Sequence, residues 1–293
     1  MKSPKFMSLG LVILGLAGLS LLISALHPLQ TTAIDNVPQV TIPNTELHVV
    51  HSNLMQRDYR IYIALPADYA TSKVNYPVLY LLDAQSSFAT VTEYTRRLSF
   101  YKELPQMIVV GVGYTVDSPD DIVLLRARDL TPTDPSGKGQ FGWADRFLSF
   151  MTDEVVPLVE TNYRADTQDR AIVGHSLGGL FGLYTLFTKP ETFQRYVVSS
   201  PSLWWDQRFM FSYEASFAKI RAELNARLYM SAGALETASD IPIAKEVPEF
   251  AAVLIKHAYG GLQLSTHLFE DQTHASVLPM ALTDGIRVVY GSN

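Results

Sequence analysis

Ser176 stands between glycines in Gly174-His175-Ser176-Leu177-Gly178, inside the stretch AIVGHSLGGL at residues 171–180. The apolar run before it reads as a short strand, and LGGLFGLYTLFTKP after it as a helix that stops at Pro190. A sharp strand–turn–helix of this kind exposes the serine hydroxyl at the carboxyl end of the strand, as a nucleophile elbow does. Gly174 and Gly178 are expected to let the backbone reverse without side-chain clash. The helix start supplies unpaired N–H groups, which makes the Leu177 amide a candidate oxyanion donor. A plain helix start satisfies the five-residue pattern too, but the flanking strand and helix favour the nucleophile.

A serine hydroxyl is a poor nucleophile until a base takes its proton, and in this setting the partners follow in the order serine, acid, histidine. His257, His267 and His274 come after Ser176. His257 falls in an expected helix and His267 in the last expected strand, where a satisfied or surface histidine is the ordinary case. His274 lies in the polar loop EDQTHASV beyond that strand, from which an imidazole can reach back to Ser176. Its orienting acid is expected just after the penultimate strand. Glu236, in ALETASD, is the first carboxylate there, with Asp240 and Asp271 as alternatives. The loop after the third strand, LYLLDAQSSF, offers a second oxyanion amide at Gln85, with Ala84 next.

Four further residues border this expected site. Trp204 and Trp205, in SPSLWW after the sixth strand, could wall an acyl or aryl pocket or pack under a loop. Arg126 and Arg128, in LLRARDLTPT, read as part of a polar loop and could bind substrate or form solvated salt bridges. His48 and His51 invite a metal reading, but residues three apart on a strand face opposite sides. No metal or cofactor is implied.

The elements that position these residues alternate along the chain. LHVVHS, RIYIALP, YPVLYLL, MIVVGVG, RAIVG, RYVVSS, ARLYMSAG and LQLSTHLF are short, rich in Val, Ile and Tyr, and bounded by breakers, so they predict eight strands. Helical spacing between the later ones covers 143–163 with a kink at Pro157, then 244–259 and 277–290. Strands alternating with helices predict a mainly parallel sheet covered on both faces, with the first two strands forming an antiparallel edge.

Composition narrows the function classes. With 293 residues, 47% of them hydrophobic, the chain can bury one large core. A net charge of −6 and the lack of any Lys/Arg run argue against nucleic acid as a partner. The absence of cysteine excludes disulfides, thiolate metal sites and a cysteine nucleophile. Lys2 and Lys5 precede the uncharged stretch LGLVILGLAGLSLLISAL at 9–26, which reads as an export signal or an N-terminal membrane anchor. The expected organisation is a leader over 1–33, a proline-punctuated linker over 34–44 and a catalytic domain over 45–293. Small residues at Thr31-Thr32-Ala33 offer a processing point, and the expected location is periplasmic or extracellular.

RIYIALPADY, YPVLYLLDAQ, GHSLGGLFGLYTLFTKPETF, SPSLWW and THASV together resemble the esterase family of α/β-hydrolases. That family includes siderophore esterases of the enterobactin trilactone type, S-formylglutathione hydrolases, feruloyl esterases and the antigen 85 mycolyltransferases. The resemblance spans most of 45–290 and is nearest to exported siderophore esterases, which share a hydrophobic leader and an arginine-containing DLTP segment. It implies an α/β-hydrolase fold, a nucleophile at Ser176, a base at His274 and an oxyanion amide near Gln85, acting on a small-molecule ester. One departure is Ala84, where the family has glycine in LLDG; a need for positive φ there would strain the loop. Acyl transfer to an alcohol and a non-catalytic binding module on the same fold are the alternatives.

Overall fold

A computed structural model of the chain describes residues 40–291. The leader, most of the linker and the candidate membrane anchor at 9–26 therefore lie outside the described residues. From Ile42 onward the chain forms one compact unit. Among the described residues, no helix is long and apolar enough to cross a membrane.

All eight expected strands form: β1 Thr45–Ser52, β2 Arg57–Ala64, β3 Tyr76–Leu81, β4 Ile108–Tyr114, β5 Ala165–His175, β6 Arg195–Ser199, β7 Glu223–Gly233 and β8 Gly260–Phe269. They build one sheet in the order β1-β2-β4-β3-β5-β6-β7-β8. β1 and β2 pair antiparallel, as does β2 with β4, and every pair from β4 through β3 to β8 is parallel. This is the mostly parallel sheet of the α/β-hydrolase fold.

Period-2 alternation divides the strand residues between two cores. Val78, Tyr80, Ile172, Tyr196 and Val198 pack on one face, beneath α3 Ala144–Phe150, α4 Val156–Asn162, α5 Leu177–Thr188, α6 Trp205–Ala218 and α7 Ile243–His257. Leu79, Leu81, Val173 and Val197 pack on the other, beneath α1 Ala84–Phe100 and α8 Leu278–Tyr290. The central parallel strands β3, β4 and β6 are apolar on both sides because both faces are covered, whereas the edge strand β8 stays largely exposed. The kink expected at Pro157 appears as a π-type turn, Met151–Val155, joining α3 to α4. Proline brings no N–H to the helical ladder, and a one-residue widening before it accommodates the loss.

Two helices depart from the sequence expectation. Arg126 and Arg128 sit on α2, Pro119–Leu130, and not in a loop. Ala84 and Gln85 form the first turn of α1 and not an open loop.

Candidate active site

β5 ends at the elbow. Ser176 has φ 59° and ψ −119°, a conformation that side chains rarely adopt, held by Ser176 N–H donating to Ser199 O at 2.9 Å and Ser202 N–H donating to Ser176 O at 3.1 Å. A Cβ on Gly174 would run into the carbonyl of Gly178, so glycine is required there. At Gly178 an added Cβ would meet only ordinary contacts, the nearest 3.4 Å away at Asp83, so the expected steric need falls on Gly174 and not on Gly178. Ser176 Oγ lies 3.4 Å from Ser202 Oγ. Among the described residues it makes no hydrogen bond to His274, although both line the same two cavities. Catalytic hydrogen bonds often tighten only with substrate in place.

His274 stands in the loop after β8, and its Nδ1 is 2.7 Å from Glu236 Oε2. Glu236 is 7% exposed, just beyond β7, and its Oε1 accepts from Ser200 Oγ at 2.7 Å and the Gly233 N–H at 2.6 Å. Burial pushes this carboxyl up, but the hydrogen bonds from His274, Gly233 and Ser200 outweigh it and hold the group below its usual range. Asp240 and Asp271 are exposed and make no hydrogen bond to His274. His257 is bound to the buried Glu214 and His267 to Asp284, both away from Ser176. His48 and His51 are likewise separately engaged, by Glu46 and Asp58.

The first residues of α5 and α1 are Leu177 and Ala84, so the amides of Leu177 and Gln85 fall among the four that a helix leaves without an internal partner. The positive φ of this loop belongs to Asp83, at 52°; Ala84 is not among the residues of positive φ, so its departure from glycine introduces no backbone strain.

Two cavities open on Ser176 and His274. One, of about 510 Å³, runs between the starts of α1 and α8 and the face of α2, past Gln85, Ile122, Val123, Arg126 and Leu278. The other, of about 350 Å³, lies under the β7–α7 loop against Trp204, Leu235, Ala238, Ile241 and Ile243. Arg126 thus reaches the first cavity. Arg128 does not: it pairs with the buried Asp129 and stacks over Trp143 on another face of α2. Trp204 walls the second cavity, whereas Trp205 turns away, donating from Nε1 to Thr133 and meeting Phe141 edge-on.

Sequence reasoning missed Ser200, Ser202, Asp83 and His175. The His175 ring lies 4.4 Å from that of His274, with Nδ1 3.0 Å from Ser199 Oγ. Burial, joined by repulsion from His274, pushes His175 down to about 4, so it stays neutral beside the second imidazole at ordinary pH. Between about pH 6.5 and 4 the unfolded chain takes up a proton at His175 that the folded chain refuses. Stability is therefore expected to fall as pH drops through that window, by at most about 3 kcal/mol from this group and less with solvent screening. Melting curves of His175→Phe should lose less stability between pH 7 and 4.5 than wild type. Equal slopes would show that His175 is protonated in both states together.

The model of the family described as "Putative esterase" matches residues 52–267. Ferri-bacillibactin esterase BesA of Bacillus subtilis is 33% identical, over 84% of this chain and 90% of its own. The siderophore triacetylfusarinine C esterase of Aspergillus fumigatus is 27% identical, over 87% and 96%. Among solved structures, the BES protein from Bacillus cereus aligns with a TM-score of 0.78 at 28% identity, covering 89% of this chain and 100% of that one. Siderophore hydrolase EstA from Aspergillus nidulans aligns at 0.77 and 25% identity, covering 88% and 99%. A match to the family model over most of the folded unit, with a serine elbow at the end of β5, places this chain in the esterase family of α/β-hydrolases.

Proposed function

We propose that this esterase is a serine carboxylesterase that opens siderophore esters through an acyl-enzyme. The observation that carries the reading is that Ser176 and His274, the latter held by Glu236, lie together where two cavities meet. Ser176 Oγ attacks the ester carbonyl and its proton passes to His274 Nε2, while Glu236 holds Nδ1–H and stabilises the imidazolium. The amides of Leu177 and Gln85 receive the charge on the carbonyl oxygen. The ester C–O bond then breaks and His274 returns the proton to the leaving alcohol. Water repeats the sequence to release the acid and free Ser176.

Attack on an ester carbonyl leaves an acyl part and an alcohol part on either side of Ser176, and each cavity can take one. Both are largely apolar, and Leu235 and Ile241 remain 56% and 37% exposed at the second. Substrates with a bulky arm on each side of the ester fit this shape, and relatives named for siderophore esters support that class. Assays should compare p-nitrophenyl acetate with a catechol-bearing trilactone. Ala238→Phe, which fills the second cavity from its exposed rim, is expected to lower kcat/KM on the trilactone by roughly tenfold or more and leave the acetate unchanged. Failure of wild type to cleave the trilactone would remove the siderophore assignment; equal loss on both esters would remove the second cavity from binding.

The reading places the protein outside the cytoplasm, supported by the lysine-led apolar stretch at 9–26. Cell fractionation with mass spectrometry of the mature N-terminus tests it: full-length protein soluble in the cytosol refutes it.

A further inference from the structure

Arg126 lines the first cavity, yet its charged fork is already engaged. Nε donates to Asp83 Oδ1 at 3.0 Å and Nη2 to Asp83 Oδ2 at 2.9 Å, a bidentate pair with both side chains under 20% exposed. Nη2 also lies 3.4 Å from the carbonyl oxygen of His175. These two contacts fall at matching places. Asp83 is two residues before Gln85 and His175 two residues before Leu177, and those are the two amides assigned to the oxyanion. We infer that Arg126 is a positioning residue: its guanidinium ties the head of α1 to the end of β5 and so fixes the separation of the Gln85 and Leu177 N–H groups.

Asp83 needs such a partner. It is a non-glycine residue at φ 52° and ψ 41°, a left-handed conformation that costs about 1 kcal/mol or more and persists only where its surroundings enforce it. It stands at the N-cap of α1, where an aspartate would normally accept from the helix, but its side chain makes no capping hydrogen bond. The carboxylate is turned to Arg126 instead. From the opposite side the turn is pinned by β4: a Cβ on Gly111 would strike Ala84, and one on Gly113 would strike the Gln85 side chain. Ala84 and Gln85 are thus seated against bare strand backbone while Arg126 holds the residue before them.

Arg126 is itself presented from a fixed base. α2 is capped by Ser118, whose hydroxyl accepts from the Asp121 N–H at 3.5 Å, and its last turn carries Asp129, which is fully buried. Asp129 accepts from Tyr59 Oη at 2.6 Å and from Arg128. The backbone of Arg126 is therefore carried on a helix anchored in the core, and its guanidinium is held by Asp83 and the His175 carbonyl. A guanidinium neutralised by its own carboxylate has little charge left for a substrate anion, so the arginine serves every ester and not only an anionic one.

This inference rests on the esterase reading, and the test separates the two. Arg126→Ala, Arg126→Lys, Asp83→Ala and the double alanine variant are assayed on p-nitrophenyl acetate and on an anionic aryl ester. Reactive serine is counted by end-point titration with a fluorophosphonate. Losing an oxyanion donor outright costs about 10²–10³ in kcat, so loosening one should cost roughly ten- to a hundredfold. Arg126→Ala is expected to lose that factor in kcat per titrated serine on both esters, with KM within about threefold. Lysine, which keeps the charge and loses the fork, should recover part of it. The double variant should be no worse than the more damaged single, since the two residues act as one unit. Retention of the neutral ester with a KM-borne loss on the anionic one would overturn positioning in favour of substrate recognition. Wild-type kcat per titrated serine in Arg126→Ala would also overturn it, leaving a role in folding alone. A wild-type protein that cleaves neither ester overturns the esterase reading and this inference with it.

Discussion

Ser176→Ala and His274→Ala are each expected to lower kcat on a p-nitrophenyl ester by about 10⁴-fold or more, and the double variant to be scarcely slower than either. The nucleophile and its base work as a unit, so once one is gone the other has nothing to act on. What remains is binding and the oxyanion amides, which still accelerate attack by water. Folding should be intact. Ser176 Oγ has only a 3.4 Å contact with Ser202, and the elbow is held by main-chain bonds that alanine keeps. His274 is on a surface loop, although its loss leaves Glu236 Oε2 without its partner, so a small fall in melting temperature is expected for that variant. Turnover within tenfold of wild type in either purified, folded variant would show that Ser176 or His274 is not in the reaction.

The features legible in the sequence are those where local pattern and tertiary role agree. Strands β3, β4 and β6 and the C-terminal halves of β5 and β7 are buried on both faces and read as apolar runs, β8 is an exposed edge strand bounded by breakers, and the elbow is a local motif whose strand and helix flank it directly. Glu236 and His274 are legible because a parallel sheet brings the loops after consecutive strands to one edge, whatever their own composition. Helix α1 is not legible. Its buried face, Phe88, Val91, Thr92, Thr95 and Leu98, mixes threonine with the apolar residues, and its N-cap offers no side-chain cap. Contrast between the faces is therefore weak, and β-branched residues lower its helix propensity.

Helix α2 has a start signal in Ser118-Pro119-Asp120-Asp121, a cap followed by proline and first-turn acids. Reading its end as a loop has a cost at the site, because a loop can aim Arg126 and Arg128 together. On a helix, residues two apart are separated by about 200°. One of the two arginines must therefore turn away, and Arg128 does. The pairing of Asp83 with Arg126 crosses 43 residues and joins two helices, one of which the apolar pattern does not announce. No single-sequence signal carries such a contact.

The sharpest discrimination at Glu236 comes from replacing it with its isostere. Glu236 Oε1 receives two donors, the Gly233 N–H and Ser200 Oγ, and Oε2 receives the third from His274. In Glu236→Gln the amide oxygen must take the two-donor position, because an NH2 group there would face a backbone N–H that cannot turn away. The NH2 then points at His274 Nδ1 and demands an acceptor. That fixes the imidazole with its proton on Nε2, the nitrogen that has to take the proton from Ser176. Glu236→Gln is therefore expected to lose about 10³–10⁴ in kcat at neutral pH with KM nearly unchanged. Glu236→Ala leaves a gap that water can enter, and water can accept from Nδ1, so its loss should be smaller than that of the closer mimic. Asp240→Asn and Asp271→Asn should stay within about twofold of wild type, both carboxylates being solvated and out of contact with His274. An order of effects with alanine worse than glutamine would mean that Glu236 supplies packing or charge and does not set the tautomer. A large loss in Asp240→Asn or Asp271→Asn would move the orienting role to that residue.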